Sequence, residues 1–117
     1  MADISKIDMD RINGLLDKLN SMKYVVETWN EGNEWYRVWS DGWIEQGGMY
    51  DSGTDSGDKF PEIFLNKPFK NITYTLMIVP YQSYTSYPNV RIHNQLVNYF
   101  IPVILNTRYI RWYACGY

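Results

Sequence analysis

Apolar residues near the start of the chain recur at gaps of three and four: Ile4, Ile7, Ile12, Leu15, Leu16, Leu19 and Met22. That spacing draws one stripe along an α-helix over residues 4–22. Asp10, Arg11, Asp17 and Lys18 fill the opposite side. Gly14 weakens the helix by about 1 kcal/mol relative to alanine. So short a helix is marginal alone in water, and its stripe must be covered. The cover is either the chain's own domain or the same stripe in other copies. Two heptads do not decide between them.

After residue 22 the pattern changes to strands. Candidate strands are residues 23–29, 34–39, 43–49, 62–65, 72–79, 90–94, 96–105 and 108–116. Within 72–79 one face, Ile72, Tyr74, Leu76 and Ile78, is the more apolar. Pro102 predicts an edge or a bend. Asn30-Glu31-Gly32-Asn33 reads as a turn, and Ser40-Asp41-Gly42 joins two strands. Asp-Gly between apolar alternations signals a hairpin with a type I′ turn. Gly47-Gly48 predicts a bulge or a close backbone approach. Residues 51–59 and 80–89 are polar loops. The residues alone thus give a small β-rich domain with a helical lead-in.

A chain of 117 residues suits one domain. It can bury roughly two-thirds of its unfolded surface, enough for a modest core. Aromatic residues reach 17%, with 11 tyrosines and 5 tryptophans. That density fits half-buried sheet packing. It also fits a binding face built of rigid rings. A net charge of −2 without basic runs gives no footprint for nucleic acid. Cys115 is the only cysteine, which excludes an intrachain disulfide and the usual structural zinc patterns. Residues 1–5 carry no signal-peptide pattern, so synthesis in a cytoplasm is expected. No apolar run approaches the ~20 residues of a membrane helix, and no membrane insertion is expected.

No residue set specifies catalysis, and the expectation is a protein that is not an enzyme and needs no cofactor. His93 is the only histidine, with no nucleophile elbow or cysteine–histidine motif beside it. Glu34, Glu45 and Glu62 could pair for glycan hydrolysis only if the fold set them at the right separation. Asp51, Asp55 and Asp58 do not follow the alternating spacing of an EF-hand loop. Binding fits better. Tyr81, Tyr84 and Tyr87 are interleaved with Gln82, Ser83, Thr85, Ser86 and Asn89. Rings among amides and hydroxyls have the composition of a paratope. An inert surface loop with tyrosines folded back has the same composition. Tyr81, Gln82, Tyr84, Tyr87 and Asn89, with His93 further on, are the receptor-binding candidates.

Residues 35–48, WYRVWSDGWIEQGG, closely resemble the opening hairpin of C-terminal domains of bacteriophage tail fibres. Phe60-Pro61-Glu62-Ile63-Phe64 and Tyr74-Thr75-Leu76-Met77-Ile78-Val79 look like that family's next two elements. Trp112-Tyr113-Ala114-Cys115-Gly116-Tyr117 is similar to its aromatic-x-Ala-x-Gly-aromatic ending. The resemblance runs in broken form over residues 34–117, and residues 80–95 have no counterpart.

The resemblance implies an antiparallel β-sandwich-like head, residues 24–117, at the distal tip of a phage tail fibre. It implies a homotrimer, and residues 1–23 then serve as a coiled-coil neck. In that neck Ile4, Ile7, Ile12, Leu15, Leu16, Leu19 and Met22 would be the trimerisation residues. The partners would be the rest of the fibre and a host-surface polysaccharide or protein, and the place would be the virion. A monomeric carbohydrate-binding module and a purely structural virion piece are the alternative readings.

Overall fold

The computed structural model describes residues 2–81 and 89–117, with side chains from residue 9 onward. One helix, α1 (Ala2–Ser21), precedes nine strands: β1 (Val25–Glu31), β2 (Glu34–Trp39), β3 (Ile44–Asp51), β4 (Asp58–Lys59), β5 (Ile63–Phe64), β6 (Thr75–Tyr81), β7 (Asn89–Gln95), β8 (Tyr99–Leu105) and β9 (Tyr109–Gly116). All pairings are antiparallel. The first sheet has the order β1-β2-β3-β9-β6. In the second, β8 has β7 on one side and the short β4 and β5 on the other. The fold is mainly β, with one N-terminal helix, as the sequence predicts.

Alternation sets the core. β9 buries Ile110, Trp112, Ala114 and Gly116 and turns Arg111 outward. Phe100 and Ile104 of β8 meet them from the second sheet. Trp112 and Phe100 cross edge to face at 5.2 Å between ring centres. The crossing segment 65–70 ties the sheets together. Gln46, fully buried, donates to the Lys67 carbonyl at 2.6 Å and accepts from the Lys67 N–H at 3.1 Å. One side chain thus satisfies both backbone groups of a loop residue, which an apolar side chain could not.

The Trp39–Trp43 hairpin departs from the predicted turn. Asp41 does not have positive φ; Gly42 alone does, at 92°. Gly42 N–H bonds Trp39 carbonyl at 2.8 Å, and Trp39 N–H bonds Trp43 carbonyl at 2.8 Å. This is a three-residue loop closed by a left-handed glycine. The Gly47-Gly48 expectation resolves to close approach, on both faces at once. A Cβ on Gly47 would lie 2.9 Å from the Trp35 indole nitrogen, and one on Gly48 would lie 3.0 Å from that of Trp112. The glycine pair therefore seats an indole on each side of the sheet.

Pro102 is neither at a sheet edge nor exposed. It sits in the middle of β8, between the stretches that pair with β5 and with β4. It also faces Ile92, where the β7 register slips before Asn94. Its missing N–H is accommodated by this break in pairing. Ile72 lies before β6 and is exposed, so the predicted apolar face begins only at Tyr74. Burial pushes the Tyr74 hydroxyl up to about 12, and it donates to the Leu96 carbonyl at 2.7 Å.

α1 stands apart. Ile12, Leu15, Leu16, Leu19 and Met22 are all about half exposed or more. No described strand packs along the helix. The chain is elongated, 78 × 26 × 21 Å. Among the described residues, the stripe from Ile12 to Met22 is therefore not covered by the chain's own domain, one of the two partners left open by its spacing. Ile4 and Ile7 lie outside the residues whose side chains are described. No helix among the described residues is long and apolar enough to cross a membrane.

Candidate functional site

Strand direction sorts the loops between two ends. β1 leaves α1, and β3 and β6 run the same way, while β2 and β9 return. Ser40–Gly42 and Tyr117 therefore lie at the end near α1. The turn at Gly32, Asp51, Tyr81 and Tyr109 lie at the far end. The two loops singled out from the sequence are rooted side by side there. In the first sheet Asp51 pairs with Tyr109, which pairs with Tyr81. In the second, Asp58 pairs with Leu105, which pairs with Asn89. Both ends of the 51–59 loop thus lie one strand away from the ends of the 81–89 connection.

The 51–59 loop is pinned by cations of the chain itself. Arg108 grips Asp51 with two hydrogen bonds, 2.7 and 3.0 Å. The Arg108 guanidinium, then the Gly53 N–H, hold the Asp51 carboxyl below the usual carboxylate range. Lys59 donates to the Ser52 hydroxyl and the Thr107 carbonyl, each at 2.8 Å, and to the Thr54 carbonyl. Desolvation lowers its pKa, against the pull of Asp55 and Asp51. Asp51 and Asp55 thus answer Arg108 and Lys59.

Rings and guanidiniums alternate beside this loop. Arg111 lies over Tyr81 at 4.2 Å from the ring centre, and Arg108 over Tyr109 at 5.0 Å. Arg111 has no carboxylate partner among the described residues. Such a surface offers aromatic faces and planar donors together, which suits hydroxyl-rich or anionic ligands.

Of the sequence candidates, Tyr81 and Asn89 flank the far-end connection. Gln82, Tyr84 and Tyr87 lie outside the described residues. His93 sits apart from the loop roots, on the outer face of the second sheet, four residues beyond Asn89. Its ring meets Phe60 edge to face at 5.7 Å. The two rings wall a groove of about 340 Å³ with Asp58, Arg91, Val103 and Leu105. Tyr109, Arg111, Arg91 and Phe60 were not among the receptor-binding candidates read from the sequence, because only the pairing of distant strands brings them to these places.

The hairpin motif serves the other end. Glu45 accepts from Trp39 Nε1 at 2.5 Å and from the Tyr113 hydroxyl at 2.9 Å. Asp41 accepts from the Tyr117 hydroxyl at 3.0 Å and pairs with Lys23 at 3.1 Å. The Trp43 N–H, then Lys23, lower the Asp41 pKa. These groups fix the joint between α1 and the sheet. Alternation along β2 and β3 places Glu34 and Glu45 on opposite faces of the first sheet.

No family model matches the sequence, and no curated protein matches it. Among solved structures, the chain is similar to a fragment of the R2 pyocin fibre of P. aeruginosa, C-terminal residues 323–691. The TM-score is 0.61 at 15% identity, over 79% of this chain and 26% of that one. The chain thus spans about a quarter of the fibre fragment whose fold it shares.

Proposed function

We propose that this chain is the receptor-binding head of a phage-type tail fibre, carried at the distal tip on a trimeric helical neck. One observation carries the reading: the exposed described part of the helical stripe and the roots of the two far-end loops sit at opposite ends of the two-sheet head. A fibre tip needs that polarity, with attachment at one end and recognition at the other. The shared fold with a pyocin fibre fragment supports it. So does the exposed stripe, which three parallel helices would cover. The ligand is a polysaccharide or protein of a host bacterial surface, bound without catalysis by the far end. Joining three heads makes weak single sites sufficient.

The test is cell binding by the fluorescently labelled full chain across a panel of bacterial strains. Binding to some strains, lost in a Tyr81→Ala, Tyr84→Ala, Tyr87→Ala triple variant of unchanged circular dichroism, is the expected result. A chain that binds no cell surface is a structural fibre piece instead. A chain that binds glycan as a monomer is a carbohydrate-binding module.

A further inference from the structure

Outward positions of a sandwich strand normally face water and are polar. β8 departs from that rule. Ile104 enters the core, so by alternation Val103 points outward. Val103 is nevertheless only 7% exposed, and it is not part of the core cluster. Its cover is the groove of about 340 Å³ on the outer face of the second sheet. Val103 and Leu105 form the groove's floor. Phe60 and His93, edge to face at 5.7 Å, wall it at the end away from the loop roots. The other end begins at the row of Asp58, Leu105 and Asn89, where both far-end loops are rooted.

Two opposite charges flank this floor. Asp58 comes from the β4 side, opposite Leu105, and Arg91 from the β7 side, opposite Val103. β8 runs between them. Their backbones therefore stand two strand spacings apart, roughly 10 Å. Both residues are exposed, and neither forms an ion pair among the described residues. A carboxylate only accepts hydrogen bonds and a guanidinium only donates them. A charged ligand drawn to one would be repelled by the other. Hydroxyl groups both donate and accept, so an uncharged polyol satisfies the two at once. Phe60, 55% exposed and oriented by His93, adds an aromatic face for the C–H side of such a ligand. The volume falls at the small end of ligand pockets, about 300–1,000 Å³, which suits a sugar unit.

We infer that the Phe60–His93 groove binds one neutral hexopyranose unit of a surface glycan, stacked on Phe60 and hydrogen-bonded between Asp58 and Arg91. The inference deepens the proposed function and rests on it for the source of the sugar. Of the two receptor classes it selects polysaccharide, and it extends recognition from the far-end loops down the flank of the second sheet.

The experiment is nuclear magnetic resonance of the isotope-labelled full chain, titrated with the methyl glycosides of glucose, galactose and mannose, beside the cell-binding panel. At least one sugar should shift the Arg91, His93 and Val103 amides saturably. Phe60→Ala and Arg91→Ala should each abolish those shifts with circular dichroism unchanged, and Phe60→Trp, which keeps a ring, should retain them. No saturable shift with any of these sugars overturns the site, as do shifts that survive both alanine variants. Glucuronate binding tenfold or more tighter than glucose overturns the neutral sugar. Cell binding by a chain whose groove stays silent overturns the site and leaves the receptor-binding head standing. Sugar binding by a chain that adheres to no cell does the reverse.

Discussion

α1 and β9 are both apolar on one side, yet their fates differ. In β9 every second residue enters a core shared with the opposite sheet. In α1 the described stripe residues Ile12, Leu15, Leu16 and Leu19 are about half exposed or more. An apolar face is thus buried in one region and exposed in the other, and topology decides which. β9 is enclosed because it lies between β3 and β6 beneath a second sheet. α1 leads into the sheet's edge strand β1, and no described strand packs along it.

Four substitutions would break or sharpen this contrast. Trp112→Ala empties the centre of the core and should cost about 3–5 kcal/mol in urea unfolding. A loss below 1 kcal/mol would mean that the head is not held by this core. Gly47→Ala forces a methyl to 2.8 Å from the Trp112 carbonyl oxygen and 2.9 Å from the Trp35 indole. It should cost about 1–3 kcal/mol, and the tryptophan fluorescence should change with it.

Leu16→Asp acts on the other region. With the proposed trimeric neck, it should reduce the solution mass to that of a monomer while moving the head's unfolding free energy by less than about 0.5 kcal/mol, as surface changes do. A large drop in head stability would show that the helix supports the core. The smallest effect belongs to Asp51. Its folded pKa lies below its unfolded value, so its contribution is present above the unfolded pKa and fades as pH falls through the folded one. Asp51→Asn should therefore flatten the acid side of the stability profile, measured by urea midpoints from pH 7 down to about pH 2.5. An unchanged acid limb would show that the Arg108 pair adds nothing.

The candidate site was legible in part. Loops 51–59 and 80–89 stand out by their Gly, Ser and Asn content, and Tyr81 and Asn89 fall at their roots. What the sequence does not show is that Asp51, Tyr109 and Tyr81 share one row, because residues 51 and 109 meet only through pairing. His93 illustrates the reverse. It is close to Asn89 in sequence, but a strand carries it down the flank to Phe60. The Asp-Gly signal located the hairpin, yet the turn type depended on where Gly42 fell relative to the last paired residues, Trp39 and Trp43.

Local pattern by itself determined the helix, most of the strands, the turns at Gly32 and Gly42, and the need for a covered stripe. Those features depend on neighbours a few residues apart, where periodicity and backbone preference are decisive. Tertiary structure alone decided that Pro102 is central, that Gln46 holds Lys67, that the glycine pair seats two indoles, and that the roots of both loops lie together at the end opposite α1. Each of these depends on strands distant in sequence, whose order and register no short window of residues encodes.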